Sequence, residues 1–384
     1  MVQVQASEMR GIVECFEELP DPRSTVNRRH LLVDVLVISM LAVIAGADGP
    51  AAIATWGELN HDWLKHYLEL PHGIPSHDTI GRVLQALKPS AFQKCFSNWL
   101  ESFVGQGLEE GERPHVAIDG KTLRRSHDRS RGLGALHLVS AWATERGITL
   151  GQLATEEKSN EITAIPELIG QIDLQGAIVT IDAAGCQKNI VNDIIEGGGD
   201  FVLALKGNQG NLHEAVETYF DDLAADDFAG VRVSRYEEND NGHGRREHRI
   251  YYQVDAPDDL PGREAWRDLN TIGIVLRIAE CNGEEQMEVR HYISSLDRDA
   301  KLFARAVRNH WGIENTLHWT LDMTFREDES RLRGRYVADN IAWLRRIALC
   351  LLKQHPKKQS IAMKRRMAGW SPEFLMQVLT GKGT

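Results

Sequence analysis

The hydrophobic period changes at His115, and this change limits the fold more than any other feature. Before it, to about residue 110, apolar residues such as Ile53, Trp56, Leu59, Trp63, Leu64, Tyr67 and Leu68 recur at helical spacing, as in helices that bury one stripe. After it come short runs of strand character, HVAID (115–119), LHLVSAWA (136–143) and ITLGQLAT (148–155). A helical stretch from Ile162 to Gln171 follows, then a strand AIVTID (177–182), a helix from Asn189 to Glu196, a strand DFVLAL (200–205) and a helix from Asn211 to about Leu223. Three strands in succession, then strands alternating with helices, predict an α/β (α+β) arrangement: a mixed sheet with helices packed on it. Residues 229–295 differ. VRVSRYEE, HRIYYQV, TIGIVLRIAE and MEVRHYISS read as strands between polar loops, a β-rich insertion. Helix resumes from about Ala300 to Leu321, and again from Asp339 to Leu352.

Within the helical first part, Pro71-His72-Gly73-Ile74-Pro75 is a turn, and Ser76 can cap a helix from His77 to about Leu87. Two helices around a short turn suit a helix-turn-helix that reads DNA, or equally an ordinary helical hairpin. The apolar run Leu31 to Ala47 carries Asp34 and Ser39 and falls short of the ~20 apolar residues of a spanning helix. It is expected to be a buried core helix, with no part in a membrane.

A chain of 384 residues has room for two or three domains of roughly 100–200 residues. Its five cysteines are Cys15, Cys95, Cys186, Cys281 and Cys350. They are far apart with no C-x-x-C, which suggests neither a zinc knuckle nor a disulfide framework. A reducing, cytoplasmic setting fits. The start MVQVQASEMR lacks the basic and apolar regions of a signal peptide. The net charge of −11 argues against a simple nucleic-acid binder, yet from Lys301 onward there are 16 Lys+Arg against 7 Asp+Glu, which is +9 and leaves −20 for the first 300 residues. A basic end on an acidic chain suggests a face that meets a polyanion, although a solvated surface would look the same.

The residues that can carry chemistry are carboxylates. Asp119 follows the apolar run Val116-Ala117-Ile118, and Asp182 follows Ile178-Val179-Thr180-Ile181. Both are expected at strand ends, where functional residues of such sheets gather. An Asp there can also simply start a turn. On a helix from Phe303 to Leu321, Glu314 projects from an apolar face formed by Phe303, Val307, Trp311, Ile313, Leu317 and Leu321, with His310 and His318 one turn away on either side. A carboxylate inside a buried stripe needs an ion pair or a metal. Three carboxylates without thiolates suit Mg²⁺ or Mn²⁺, and two such ions can clamp the attacking and leaving oxygens of a phosphodiester. Lys121, Arg124, Arg125, Lys158 and Lys206 are candidates for a phosphate-facing rim, or are solvated charges.

At these residues the chain resembles the H-repeat-associated, ISAs-type insertion-sequence transposases of the DDE superfamily. The matching stretches are Asp21-Pro22-Arg23 with Arg28-Arg29-His30, GIPSHDTIGRVL (73–84), AIDGKTLRRS (117–126), EKSNEITAIP (157–166), TIDAAGCQ (180–187), ALKGNQ (204–209) and NHWGIENTLHWTLDMTFREDESR (309–331). The resemblance implies a ribonuclease-H-like catalytic domain whose Asp, Asp and Glu are Asp119, Asp182 and Glu314. It implies a helical, DNA-binding part at 1–110, the catalytic domain at 111–228, a β-rich insertion at 229–297, and the remainder with a basic helical end at 298–384. It further implies Mg²⁺ (or Mn²⁺), double-stranded DNA as substrate and a homodimer on paired element ends. The chain departs from the pattern where many relatives have Arg four residues before the Glu and Lys seven after it: here stand His310 and Leu321. His310 is the candidate for the phosphate contact at the first of these positions.

Overall fold

The computed structural model describes residues 2–26, 28–103, 112–127, 132, 134–155, 161–242, 245–281 and 284–381. Six helices come first: α1 (Val2–Glu17), α2 (Leu32–Ile44), α3 (Pro50–Leu59), α4 (His61–Leu64), α5 (His77–Ala86) and α6 (Pro89–Phe103). The apolar run becomes α2, whose residues are buried almost without exception. It is a core helix, and no helix among the described residues is long and apolar enough to cross a membrane. Ser76 caps α5 as expected, its hydroxyl accepting from the Thr79 amide at 3.3 Å. The Asp21 carboxylate binds Arg23 at 2.6 Å and Arg28 at 3.2 Å, and Arg23 also donates to the His30 carbonyl. That early motif therefore braces the loop entering α2.

Then follow β1 (His115–Leu123), β2 (Leu136–Ala143), β3 (Ile148–Thr155), α7 (Glu161–Ile169), β4 (Ile178–Ile181), α8 (Lys188–Glu196), β5 (Asp200–Leu205) and α9 (Gly210–Ala225). The strands β6 (Val233–Gly242), β7 (Arg245–Asp255), β8 (Thr271–Cys281) and β9 (Glu284–Ser294) form an antiparallel meander. All nine strands make one sheet in the order β3-β2-β1-β4-β5-β9-β8-β7-β6. β1 runs antiparallel to β2 and parallel to β4, β4 runs parallel to β5, and β9 joins β5 antiparallel from Val202↔Ser294 to Leu205↔His291. The β-rich stretch thus prolongs the sheet by direct pairing.

The sheet divides two cores. Val116 and Ile118 of β1 pack with α7, α8 and α9 on one face, through Ile165, Leu168, Ile190, Ile194 and Val216. The other face receives α10 (Ala300–Gly312), which the Asp299 carboxylate caps by accepting from the Lys301 and Leu302 amides. A π-helical turn, Ile313–His318, and α11 (Trp319–Met323) continue it. Ala117 and Trp142 belong to the larger core on that face, shared by the N-terminal helices and by α12 (Arg335–Gln354), α13 (Ile361–Trp370) and α14 (Pro372–Thr380).

Four cations of the basic C-terminal segment lie inside the molecule. Arg345, Arg346, Lys364 and Arg365 are buried. Arg365 reaches the carbonyls of Val43, Ala47 and Thr324, and Lys364 those of Leu352 and His355. Part of the charge excess is spent on satisfying backbone carbonyls inside the molecule. The packing of α1 against α6 brings the Cys15 and Cys95 sulfurs 2.8 Å apart as free thiols.

Candidate active site

β1 outlasts its neighbour β4. The pairing of β1 with β4 stops at Ile118↔Ile181, while its pairing with β2 runs on to Leu123↔Leu136. Asp119 is therefore in mid-strand rather than at the strand end expected for it, held by β2 opposite Ser140. Asp182 does end its strand. It caps the following 3-10 turn, accepting from the amides of Ala184 at 3.0 Å and Gly185 at 3.3 Å. By strand register the two aspartates are next neighbours across β1 and β4, one on each side of the fork.

Glu314 comes from the opposite direction. The expected uninterrupted α-helix would have buried it, but the helix changes to π winding at Ile313 and Glu314 is exposed. Ile313, Leu317 and Leu321 take the inward positions instead. A π turn lengthens the repeat, so a residue due on the apolar stripe is carried off it; such turns recur at functional sites. Burial pushes the Asp119 carboxyl up to about 7, and the negative charges of Glu314, Asp182 and Glu161 push the same way. These carboxylates share one electrostatic neighbourhood. Glu161 had been noticed only as part of a motif, since nothing in the sequence shows α7 bringing it toward β1.

Two histidines stand among the acids without neutralising them. His318 Nδ1 lies 3.4 Å from Asp119 Oδ2. Burial, with Arg346 and Lys121 nearby, lowers its pKa to about 3. His310 Nδ1 lies 3.3 Å from Thr180 Oγ1, and burial holds it near 4 although Asp182 pulls upward. A neutral imidazole is a poor substitute for the arginine of the family pattern, so a cationic phosphate contact at His310 does not match its surroundings.

Lys121 departs from the expected rim in a similar way. It is buried, with Nζ 2.5 Å from Asp322, 3.1 Å from Asp328 and 4.0 Å from Glu327. Its side chain ties β1 to Asp322 in α11 and to the acidic turn that follows. Arg124 is exposed and reaches Asp328 at 3.2 Å; Arg125 and Lys206 are exposed. Lys158 lies outside the described residues. Sequence reasoning passed over a second group of cations. Arg249, Arg277, Arg290 and Arg308 line a cavity of about 330 Å³ with Trp311 and Asn315, beside the turn that bears Glu314. Arg290 stacks on Trp311 at 4.3 Å. Each of these arginines already faces a carboxylate from Glu238, Asp240, Glu247 or Glu288.

Among the described residues, no three His, Cys, Asp or Glu side chains are already gathered tightly enough to hold an ion. The donor chemistry still fits a hard divalent cation. The donors are carboxylate oxygens, and the crowding that raises Asp119 is what a cation would relieve. Cys186, close to Asp182, has its thiol pushed up to about 12, first by burial and then by that aspartate, and stays protonated.

Comparison with known proteins decides the family. The pattern described as "Transposase DDE domain" matches residues 110–351, and the pattern "DDE_Tnp_1-associated" matches residues 13–100. The chain belongs to the DDE transposase family. It is 40% identical over 382 residues to the "H repeat-associated putative transposase YhhI" of Escherichia coli (strain K12), covering 98% of this chain and 99% of that one. It is 38% identical to the "Putative transposase YncI" of Escherichia coli O157:H7, over 97% of this chain and 95% of the relative. A much shorter relative, the "Inactive transposase YbfQ" of Escherichia coli (strain K12), is 40% identical over 77 residues, 20% of this chain and 92% of its own length.

Proposed function

We propose that this DDE transposase cuts DNA at the ends of an insertion element by metal-dependent phosphodiester hydrolysis and joins the freed 3′ ends to target DNA. The observation that supports the reading is the fork between β1 and β4, where Asp119 and Asp182 are neighbours by register and the charge of Glu314, on the π turn, acts on Asp119. The strand order β3-β2-β1-β4-β5, antiparallel through the first three and parallel from β1 to β5, supports a ribonuclease-H-like core, with β6 to β9 as the inserted part. Asp119, Asp182 and Glu314 would hold Mg²⁺ or Mn²⁺. The bound ions supply activation of the attacking hydroxyl and charge stabilisation of the phosphorus centre.

The protein's own groups do the rest. The Ala184 and Gly185 amides fix one Asp182 oxygen. His310 and His318, kept neutral by burial, border the aspartates without cancelling the negative charge that attracts cations. Exposed Arg124, Arg125 and Lys206 stand next to the catalytic strands, where they can meet the phosphate backbone. The exposed face of α5, with His77, Asp78, Arg82 and Gln85, belongs to the helical part proposed to hold duplex DNA. A homodimer on paired ends and a cytoplasmic location complete the reading. A nuclease that cuts without joining is the rival, and a supercoiled-plasmid assay separates the two. The decisive experiment pairs a gel shift with a nicking assay on one preparation. Asp119→Asn should abolish nicking and leave DNA binding within about twofold, and EDTA should do the same to the unmodified protein. Nicking that survives either treatment would overturn the assignment.

A further inference from the structure

Glu161 begins α7 on the sheet face opposite Asp119, and it is buried, with only 5% of its surface exposed. A buried carboxylate is costly unless something repays it. Its neighbours are specific. His137 Nε2 lies 3.4 Å from Glu161 Oε2, and Thr122 Oγ1 lies 2.9 Å from His137 Nδ1. Thr122, His137 and Glu161 thus lie in a row, with the imidazole packed against the carboxylate.

It points at Gly120. A Cβ on that residue would stand 2.4 Å from His137 Nε2 and 2.7 Å from Glu161 Oε1. Only glycine leaves room for the carboxyl to lie directly on the strand, one residue from Asp119. The β4 side of β1 is bare here, because pairing ends at Ile118↔Ile181. The charge on Glu161 therefore reaches the fork through one layer of backbone, with no side chain between.

We infer that Glu161 is a fourth acidic residue of the proposed metal site, a positioning residue that acts from behind the sheet through Asp119, with His137 and Thr122 packed beside it. The inference rests on the reading of the site given above. A fixed negative charge behind a carboxylate ligand raises the affinity of that ligand for a cation, as partners one layer behind metal ligands generally do. Glu161 need not touch substrate, and its effect should fall on metal occupancy rather than on DNA.

The test titrates Mn²⁺ alone into the full-length protein, with and without a random-sequence duplex, and reads free Mn²⁺ by electron paramagnetic resonance. Glu161→Gln keeps shape and removes charge. It should raise the Mn²⁺ concentration for half occupancy by about tenfold or more. The metal required for half-maximal nicking should rise in parallel, with the rate at saturating Mn²⁺ largely restored. Duplex affinity in a gel shift should stay within about twofold, and Glu161→Asp should recover part of the loss. A folded Glu161→Gln with unmodified Mn²⁺ affinity overturns the inference. Should that variant not fold, Thr122→Val carries the test, since freeing His137 should weaken Mn²⁺ binding in the same direction, and an unchanged titration overturns the inference equally. Asp119→Asn separates the two levels. If it too binds Mn²⁺ like the unmodified protein, the proposed metal site itself fails.

Discussion

Asp34 is the one ionisable side chain in α2, and it is 1% exposed. One carboxylate oxygen accepts from the Leu70 amide at 3.1 Å, where the chain takes a positive φ of 44°. The aspartate therefore serves the loop that leads into the turn before α5. Burial pushes its carboxyl up to about 6, against an ordinary value of 3.8. The folded chain then holds this proton more tightly than the unfolded chain. The group's contribution is fully present at pH below the ordinary value, declines as pH rises between the two values, and stays lost above the higher one. Asp34→Asn keeps an acceptor for Leu70 and cannot ionise. Its stability relative to the unmodified protein should improve by about 2 kcal/mol between pH 4 and pH 8, measured by urea unfolding at each pH. A difference that does not vary with pH would show that the carboxyl titrates normally.

Between α10 and α12, the segment 322–329 is held from two sides. Lys121 of β1 binds Asp322 and Asp328, and Arg346 of α12 binds Glu327 at 3.0 Å with both side chains fully buried. Removing one partner strands the other charge. Arg346→Met should cost about 3–5 kcal/mol, while the pair Arg346→Met with Glu327→Leu should recover most of it. A double-mutant cycle in urea checks this, and an additive cycle would contradict it. None of this pairing could be read along the chain, because Lys121 and Asp322 are about 200 residues apart and meet only once the sheet and helices pack. Local pattern did locate most elements: β2, β3 and β5 have the bounds that their alternation suggests, and Ser76 and Asp182 do what their residue types favour. Pattern failed where winding or partners decide. The π turn took Glu314 off the stripe that a uniform helix would give it. The unequal lengths of β1 and β4 left Asp119 in mid-strand. The approach of Glu161 to Gly120 depends on packing across the sheet.

Taken whole, the molecule is closed by its last helices. Ile341, Leu344, Ile347, Leu349 and Leu351 of α12 share a core with Met9, Ile12, Leu36, Ile38, Ile53 and Leu84 from the first helices. Asn340 donates to the carbonyls of Leu84 and Leu87 at the end of α5, at 2.8 and 2.9 Å. Arg365 sets its charge against the C-terminal carbonyls around α2, where a cation is favoured. Residues 1–110 alone should therefore give no cooperative urea transition, and a chain ended at residue 334 should lose the ordered packing of its N-terminal helices as well as what was cut. Circular dichroism and hydrogen exchange check both, and a sharply unfolding 1–110 fragment would show that the first helices stand by themselves. The same closure orders events during synthesis. Domains commonly fold as they leave the ribosome, but here the helices before β1 lack part of their core until α12 to α14 have been made. The helices proposed to grip DNA would wait, apolar faces uncovered, while the acidic sheet is completed behind them. Losing everything from Arg335 onward would then unsettle helices about 250 residues away in sequence as well.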